Sequence, residues 1–384
     1  MTTTSSQLDS TSPPHSTLPP ELIDQILQDS SLSNSDLARC CLVNKNFQDL
    51  ARPVLYHSVK VQFILNYERQ RWLDRITQLL FRTLSNEPSL GRNARTVIFL
   101  AQYTDDEDSS VRLLDDYGLA VEQALEMLPL VESVDVDAHV WNSDYAEEMI
   151  FNRGLQWKEI AVDGILLDED TDGNWRTWSE LPNLRKLRCA VTYGGPDHTT
   201  PIPDHLEVLD ITNLFAQDFP LSVSPESQLR ILRVILSDSK LQHLGYMRQL
   251  RHLYLFIKHD TSALLSETFN ALSRLPLLES LSVKYDRPTS LDLRVIHSLC
   301  HHLPQSLLRL DFPRCIPFDH LTQFLKNDDN SQFQILGIAQ TRERNWNDLS
   351  DDELEGSVGG LSEICEEKGI VLERVEPRED IFLV

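Results

Sequence analysis

The chain has 384 residues, 41% of them hydrophobic, which is enough to bury a sizeable core and to form more than one structural unit. It contains 35 Lys and Arg residues and 59 Asp and Glu residues. The resulting net charge of -24 disfavours a general binder of nucleic acids or of anionic membrane surfaces. We find no basic leader and no apolar run of about 20 residues, so we expect a protein of the cytoplasm or nucleus.

The N-terminal part of the sequence predicts a tail followed by three short helices. Residues 1–16 are mostly Ser, Thr and Pro, so we expect them to be disordered. The first helix is predicted to begin near Pro20, because proline suits the first helical turn. Residues 33–36 and Asn44 offer capping oxygens for the second and third helices. Three short helices enclose only a thin core, so we expect some of their apolar side chains to contact another protein.

A specific motif runs through the same helices. In order, it comprises Leu18-Pro19, Glu21-Leu22, Ile26-Leu27, Asp36-Leu37, Cys40, Leu42-Val43, Lys45, Phe47 and the closing stretch ARPVLYHSV. The segment 17–59 resembles an F-box, and its closing stretch resembles the fungal form of that motif. Phe47 stands where a Trp is usual and Cys40 where a larger aliphatic residue is common, but neither change removes an apolar contact. The alternative is an ordinary helical subdomain that packs on the rest of the chain.

The F-box resemblance implies partners and a binding surface. In that family the three-helix module docks on the Skp adaptor, which joins it to a cullin-based ubiquitin ligase. The apolar side chains of the module are the candidates for the adaptor contact. They are Leu18, Pro19, Leu22, Ile26, Leu27, Leu37, Cys40, Leu42, Val43, Phe47, Leu55 and Tyr56.

The next segment, residues 60–90, is predicted to be a helical linker. Its residues 66–84 follow a helical pattern, with one apolar side and dispersed arginines. The apolar side comprises Trp72, Ile76, Leu79, Leu80 and Leu84. We interpret the basic residues of this helix as a solvated face.

From residue 91 onward, the pattern apolar-x-x-apolar-x-apolar recurs and predicts strands. The clearest copies are LRKLRC (184–189), LEVLDI (206–211), LRILRV (229–234), LRHLYL (250–255) and LESLSV (278–283), and weaker copies begin at residues 94, 131, 157, 307 and 333. This recurrence resembles leucine-rich repeats, in which each unit has one strand and one helix or irregular return. Because a single unit cannot bury its own apolar face, we predict an α/β solenoid with parallel strands over residues 91–384.

A doubly wound parallel α/β domain is the competing architecture. Its strands are buried on both faces and read as continuous apolar runs, whereas the strands predicted here carry polar residues between the apolar ones. The sequence also contains no GxGxxG or GK[ST] motif for phosphate. The repeats are nevertheless divergent, because the Asn that typically closes the leucine-rich repeat strand motif is missing.

Motifs for catalysis or metal binding are weak in this sequence. Residues 168–179 begin like an EF-hand calcium loop, but Ser179 stands at the twelfth position, where a bidentate Glu is needed. His297, Cys300 and His301 lie within one helical turn, but no fourth zinc ligand is obvious. No GxSxG, HExxH or CxxC motif occurs, so the six cysteines are expected to be reduced thiols. We therefore expect no catalytic residue, no metal and no cofactor.

Side-chain alternation predicts which repeat residues face a substrate. The fourth and sixth positions point inward, so the third, fifth and seventh line the concave face of the sheet. The later repeats then present a basic and aromatic patch that suits an acidic or phosphorylated peptide. The patch comprises Lys186, Arg188, Arg233, His252, Tyr254, Phe256, Lys284 and Arg309. The alternative is that these cations only solvate the sheet and that the substrate binds loops.

The expected function is that of a non-catalytic substrate receptor in an SCF-type ubiquitin ligase. The F-box would dock on the adaptor and the repeats would hold a protein substrate near the conjugating enzyme, which raises its effective concentration. The alternative is a binding scaffold that uses the adaptor but delivers nothing for degradation.

Overall fold

The structure is a computed structural model of the chain. It describes residues 19–28, 32–65, 72–103, 115–137, 151–165, 181–191, 200–214, 221–222, 224–236, 244–257, 268–285, 298–312, 318–327, 333–339 and 351–375. The tail predicted over residues 1–16 lies outside these ranges.

The described residues contain an N-terminal group of helices followed by a long series of strands. The main helices are α1 (Pro20–Leu27), α2 (Asn34–Cys40), α3 (Lys45–Leu55), α4 (Arg75–Asn86), α5 (Asp115–Met127), α6 (Phe318–Asn327) and α7 (Asp351–Lys368). The strands are β1 (Ser58–Leu65), β2 (Trp72–Leu73), β3 (Thr96–Tyr103), β4 (Ser133–Val136), β5 (Glu159–Ile165), β6 (Lys186–Val191), β7 (Thr200–Pro201), β8 (Val208–Leu214), β9 (Leu221–Ser222), β10 (Ile231–Leu236), β11 (His252–Ile257), β12 (Ser280–Tyr285), β13 (Arg309–Phe312), β14 (Ile335–Ala339) and β15 (Val371–Val375).

One sheet of 13 strands organises the molecule, in the order β15-β14-β13-β12-β11-β10-β8-β6-β5-β4-β3-β1-β2. Only β2 runs antiparallel to its neighbour within this described sheet, and the other strands are parallel. From β1 to β15 the strand order follows the chain, whereas a doubly wound sheet reverses its order at a switch point. The predicted leucine-rich-repeat-like α/β solenoid with parallel strands is therefore confirmed, and the doubly wound alternative is excluded.

The strand starts and the backbone hydrogen bonds recur at the same positions of each six-residue pattern. Each predicted strand begins at the third position of its six-residue pattern, as in LRHLYL, where β11 begins at His252. The carbonyl oxygen of the second residue accepts two N–H groups from the next unit. For example, the Arg230 carbonyl accepts from Arg251 at 2.8 Å and from His252 at 3.0 Å. The units are therefore stacked in one common register.

A continuous apolar core lies on one side of the sheet. The fourth-position leucines predicted to point inward are all buried, and they are Leu187, Leu209, Leu232, Leu253, Leu281 and Leu310. Helices cover this side, with Leu125 of α5, Leu325 of α6 and Leu361 of α7 in the same core. The opposite side of the sheet carries the third and fifth positions, and we call it the outward face.

The segment predicted as a helical linker differs from that prediction. Residues 58–65 form β1, which pairs with β3 along its full length, and α4 covers only residues 75–86. In α4, Phe81 and Leu84 are buried, whereas Ile76 and Leu79, predicted to share an apolar side with Leu84, are 73% and 53% exposed. The difference arises because the strand partner of β1 lies far along the chain, where local periodicity carries no information about it.

Candidate functional site

The three N-terminal helices form a small unit with a core of its own. At the start of α2, Ser33 Oγ accepts the N–H of Asp36 and the Asp36 carboxylate accepts the N–H of Ser33, both at 3.2 Å. At the start of α3, Asn44 Oδ1 accepts the N–H of Phe47 at 3.0 Å. These caps satisfy helix N–H groups that have no partner within the helix. The core residues are Ile23, Leu27, Leu37 and Ala51.

Large aliphatic side chains on this unit remain exposed to solvent. On α1, Leu22 is 45% exposed and Ile26 is 54% exposed, one helical turn apart, and Pro19, just before the helix, is exposed as well. In the turn between α2 and α3, Leu42 and Val43 are 85% and 64% exposed. We call Leu22, Ile26, Leu42 and Val43 the aliphatic surface. Such exposure in so small a unit is typical of a protein-binding surface.

Other predicted adaptor residues lie inside the unit. Leu27 and Leu37 are 2% and 5% exposed, so they have little surface left to offer a partner. Cys40, Phe47 and Leu55 are half-buried against the same core. Sequence reasoning grouped these residues with the exposed ones, because neighbouring apolar residues on a short helix do not reveal which of them the unit buries.

The third helix joins the solenoid directly. Arg52 Nη1 of α3 lies 3.0 Å from Glu87 Oε1, just after α4, in an ion pair between the two parts of the molecule. Tyr56, another predicted adaptor residue, packs on the solenoid core, and burial raises the pKa of its hydroxyl. The small unit is therefore attached through side chains as well as through the chain itself. Leu18 lies outside the described residues.

The eight residues predicted to face a substrate all lie on the outward face and are half-buried. Strand register brings several of them into one row. Arg188 on β6 is paired with Asp210 on β8, Asp210 with Arg233 on β10, and Arg233 with Tyr254 on β11. The structure therefore places predicted residues from successive repeats in one row across the sheet.

Most cations of this face are held by carboxylates of the same face. The pairs are Arg188–Asp135 at 3.4 Å, Arg233–Asp210 at 3.5 Å, Lys186–Glu159 at 2.7 Å and Arg309–Asp311 at 2.8 Å. Asp210 is only 1% exposed, although it lies on the outward face. Asp210 and Asp311 occupy the fifth positions of their repeats. The side-chain alternation that predicts the outward-facing cations therefore also predicts that these two carboxylates face outward. The patch is therefore not a simple cationic surface.

β11 supplies the aromatic part of the face. Its outward residues His252, Tyr254 and Phe256 alternate with buried residues. Lys284 Nζ lies 5.2 Å from the centroid of the Phe256 ring, within cation–π distance. Burial lowers the pKa of His252 from its ordinary value of 6.5, so this imidazole is neutral at pH 7.

The comparison with known families decides the identity of the N-terminal unit. The sequence matches the F-box-like family over residues 15–62. Residues 15–62 are an F-box-like domain. The match includes all three helices and the first residues of β1, and the resemblance noted from the sequence is confirmed. A search of curated protein sequences finds no match to the chain.

A comparison with solved structures gives matches of low sequence identity. A chain from the crystal structure of the Rad7 and Elc1 complex of yeast is 11% identical, with 84% of this chain and 88% of that chain covered and a TM-score of 0.32. An internalin, InlF, from Listeria monocytogenes is 12% identical, with 94% and 90% covered and a TM-score of 0.25.

The described residues contain no metal site at the calcium-like or zinc-like motifs of the sequence. Within those residues, no group of three or more His, Cys, Asp or Glu side chains is placed to hold a metal ion. Cys300 is buried and His301 is exposed, while His297 and the calcium-like loop 168–179 lie outside the described ranges. None of the described helices is both long enough and apolar enough to cross a bilayer.

Proposed function

We propose that this protein is the substrate receptor of an SCF-type ubiquitin ligase in the cytoplasm or nucleus. The F-box-like domain docks on a Skp adaptor, the adaptor joins it to a cullin, and the outward face of the solenoid holds a protein substrate. The chain itself supplies no catalytic group in this proposal. It brings the substrate close to a charged conjugating enzyme, which raises the effective concentration of the reacting groups.

The aliphatic surface is the observation that carries the adaptor proposal. The F-box-like domain buries Ile23, Leu27 and Leu37 in its own core and still leaves Leu22 and Ile26 about half exposed on α1. Burial of the apolar area that these side chains still expose contributes about 25 cal/mol per Å². These four exposed aliphatic side chains would form the apolar centre of the contact with the adaptor.

The proposed substrate is an acidic or phosphorylated peptide bound across the later repeats. Arg188 and Arg233 already interact with Asp135 and Asp210, so an incoming anion must compete with these carboxylates. A phosphate carries about 1.5 to 2 negative charges and three acceptor oxygens, so it competes better than one carboxylate side chain does. Among anionic peptides, this arrangement favours a phosphorylated one.

Substitutions on α1 test the adaptor proposal. Changing both Leu22 and Ile26 to Asp is expected to abolish binding of purified Skp adaptor in calorimetry, because two buried aliphatic contacts become charged. The matched control is Leu155→Asp, since Leu155 is 74% exposed on the solenoid. Both variants should keep the thermal unfolding midpoint of the wild type. Undiminished adaptor binding by the Leu22 and Ile26 variant would refute the proposed docking surface.

Charge reversal tests the substrate proposal. Changing Arg188 and Arg233 together to Glu is expected to remove substrate capture from proteasome-inhibited cells while adaptor binding stays intact. A prey that accumulates only when the proteasome is inhibited supports the ligase function, whereas a prey that is indifferent to inhibition supports the non-degradative scaffold. Unchanged capture by the charge-reversed chain would exclude the outward face as the substrate site.

A further inference from the structure

A row of three aromatic side chains stands on the outward face of the solenoid. His252, Tyr254 and Phe256 occupy alternate positions of β11, and Leu253 and Leu255 between them are buried in the core. Residues two apart in a strand are about 6.5–7 Å apart, so the row is about 13 Å long. This length matches four or five residues of an extended peptide.

The strands on either side give the row two different flanks. On β10, Ile231 pairs with His252 and Arg233 pairs with Tyr254. On β12, the partners of the same two rings are Ser280 and Ser282. Ser280 is half-buried and Ser282 is only 8% exposed, so the space beside Tyr254 toward β12 is already filled. A partner therefore contacts Tyr254 from the outward side of the face, where this ring is still partly exposed.

The charges around the row are balanced within the face. Arg233 is 3.5 Å from the carboxylate of Asp210, and the ammonium group of Lys284 lies over the ring of Phe256. His252 is neutral at pH 7 because burial lowers its pKa. A partner that contacts the three rings would make mainly apolar and aromatic contacts. The charged groups of Arg233 and Lys284 lie at the edges of the row.

We infer that the substrate segment carries a bulky uncharged side chain, aromatic or aliphatic, that packs on Tyr254 between His252 and Phe256. This inference rests on the proposed receptor function and adds a second recognition element to the proposed phosphate contact. Aromatic side chains grouped on an otherwise polar surface are typical anchors of protein interfaces, because they offer a large rigid contact area at low entropic cost. The peptide chain then runs over β10 to β12, with its anchor on Tyr254 and its anion toward Arg233 and Arg188.

Peptide libraries test this inference directly. The probe is a set of synthetic peptides of about nine residues with a fixed central residue, prepared with either serine or phosphoserine nearby. The purified full chain is expected to bind peptides with central Trp, Phe, Tyr, Leu or Met about tenfold more tightly than those with central Gly, Ser or Lys. Tyr254→Ala is expected to lose this preference and Tyr254→Phe to keep it.

Tyr246 provides the matched control, because it is 56% exposed in the short 3₁₀ helix Leu244–Tyr246, outside the aromatic row. Tyr246→Ala should keep the preference for bulky central residues. A wild-type chain without that preference, or a Tyr254→Ala chain that retains it, overturns the inference. Adaptor binding is measured on every sample, so loss of the peptide preference is distinguished from failure of the receptor proposal itself.

Discussion

Arg188 on β6 reaches across Ala161 of β5 to Asp135 of β4, and the two charged groups lie 3.4 Å apart. Ala161 is the register partner of both residues, so it lies directly beneath this contact. Neighbouring strands are about 4.8 Å apart, so the ion pair spans two strand spacings. Only a small side chain on the middle strand leaves room for the guanidinium group to cross.

Enlarging Ala161 should therefore break the ion pair. Ala161→Leu is expected to remove the energetic coupling between Asp135 and Arg188, which we expect to be about 1 kcal/mol in the wild type. The measurement is a double-mutant cycle of Asp135→Ala and Arg188→Ala, made by urea unfolding in both backgrounds. Ala161→Ser, which stays short, should preserve the coupling. Equal coupling in the Leu and Ser backgrounds would contradict the geometry.

Truncation of an inward leucine tests the repeat register. Leu253→Ala is expected to reduce the free energy of unfolding by about 2–5 kcal/mol, because Leu253 is fully buried and its loss leaves a cavity. The adjacent Tyr254 lies on the outward face, and Tyr254→Ala should cost much less. Urea unfolding of the two variants gives the comparison. A larger loss for Tyr254→Ala than for Leu253→Ala would reverse the assignment of the two faces.

The capping residue of α2 should contribute measurably to the F-box-like domain. Ser33→Ala is expected to reduce the stability of the domain by about 1 kcal/mol, because the hydroxyl of Ser33 no longer accepts the N–H of Asp36 or donates to the Asp36 carboxylate. Faster amide hydrogen exchange in α1–α3 measures this loss. Ser35 lies within the same helix and is exposed, so Ser35→Ala serves as the control and should leave exchange unchanged. Equal exchange rates in both variants would rule out a stabilising cap.

The buried thiol of Cys189 predicts a loss of stability at alkaline pH. Burial, with a smaller contribution from the charge of Asp210, raises the pKa of this thiol from 9.0 to about 12. The unfolded chain releases the thiol proton above pH 9, whereas the folded chain keeps it until about pH 12. The free energy of unfolding is therefore unaffected by this thiol below pH 9 and decreases as the pH rises from 9 to about 12.

The Cys189→Ala variant isolates this effect. It removes the titrating group, so the stability difference between wild type and variant should shrink as the pH is raised above 9. Urea unfolding at a series of pH values provides the measurement. Thiol alkylation at pH 8 should also leave native Cys189 unmodified, because the buried group is protonated and inaccessible. A pH-independent difference, or rapid alkylation of native Cys189, would contradict the assigned environment.

Local patterns in the sequence were sufficient for the architecture of the repeats from residue 91 onward. The six-residue pattern predicted ten strands, and each begins at the third position of its copy, as His252 does in LRHLYL. This works because the side chains of a strand alternate between two faces, so residues a few positions apart record which face is buried. The F-box motif could likewise be recognised from the sequence, because its residues are close together in the chain.

The tertiary structure alone decided which side chains meet. Arg188 and Asp135 are 53 residues apart, and Ile26 and Leu27 are neighbours of which only Leu27 is buried. The same applies to β1, whose partner β3 is separated from it by α4. Periodicity determined the face on which a residue lies, because that is a local property of the backbone. Pairing across strands and between helices depends on the register of distant segments, which is set only when the whole core packs together.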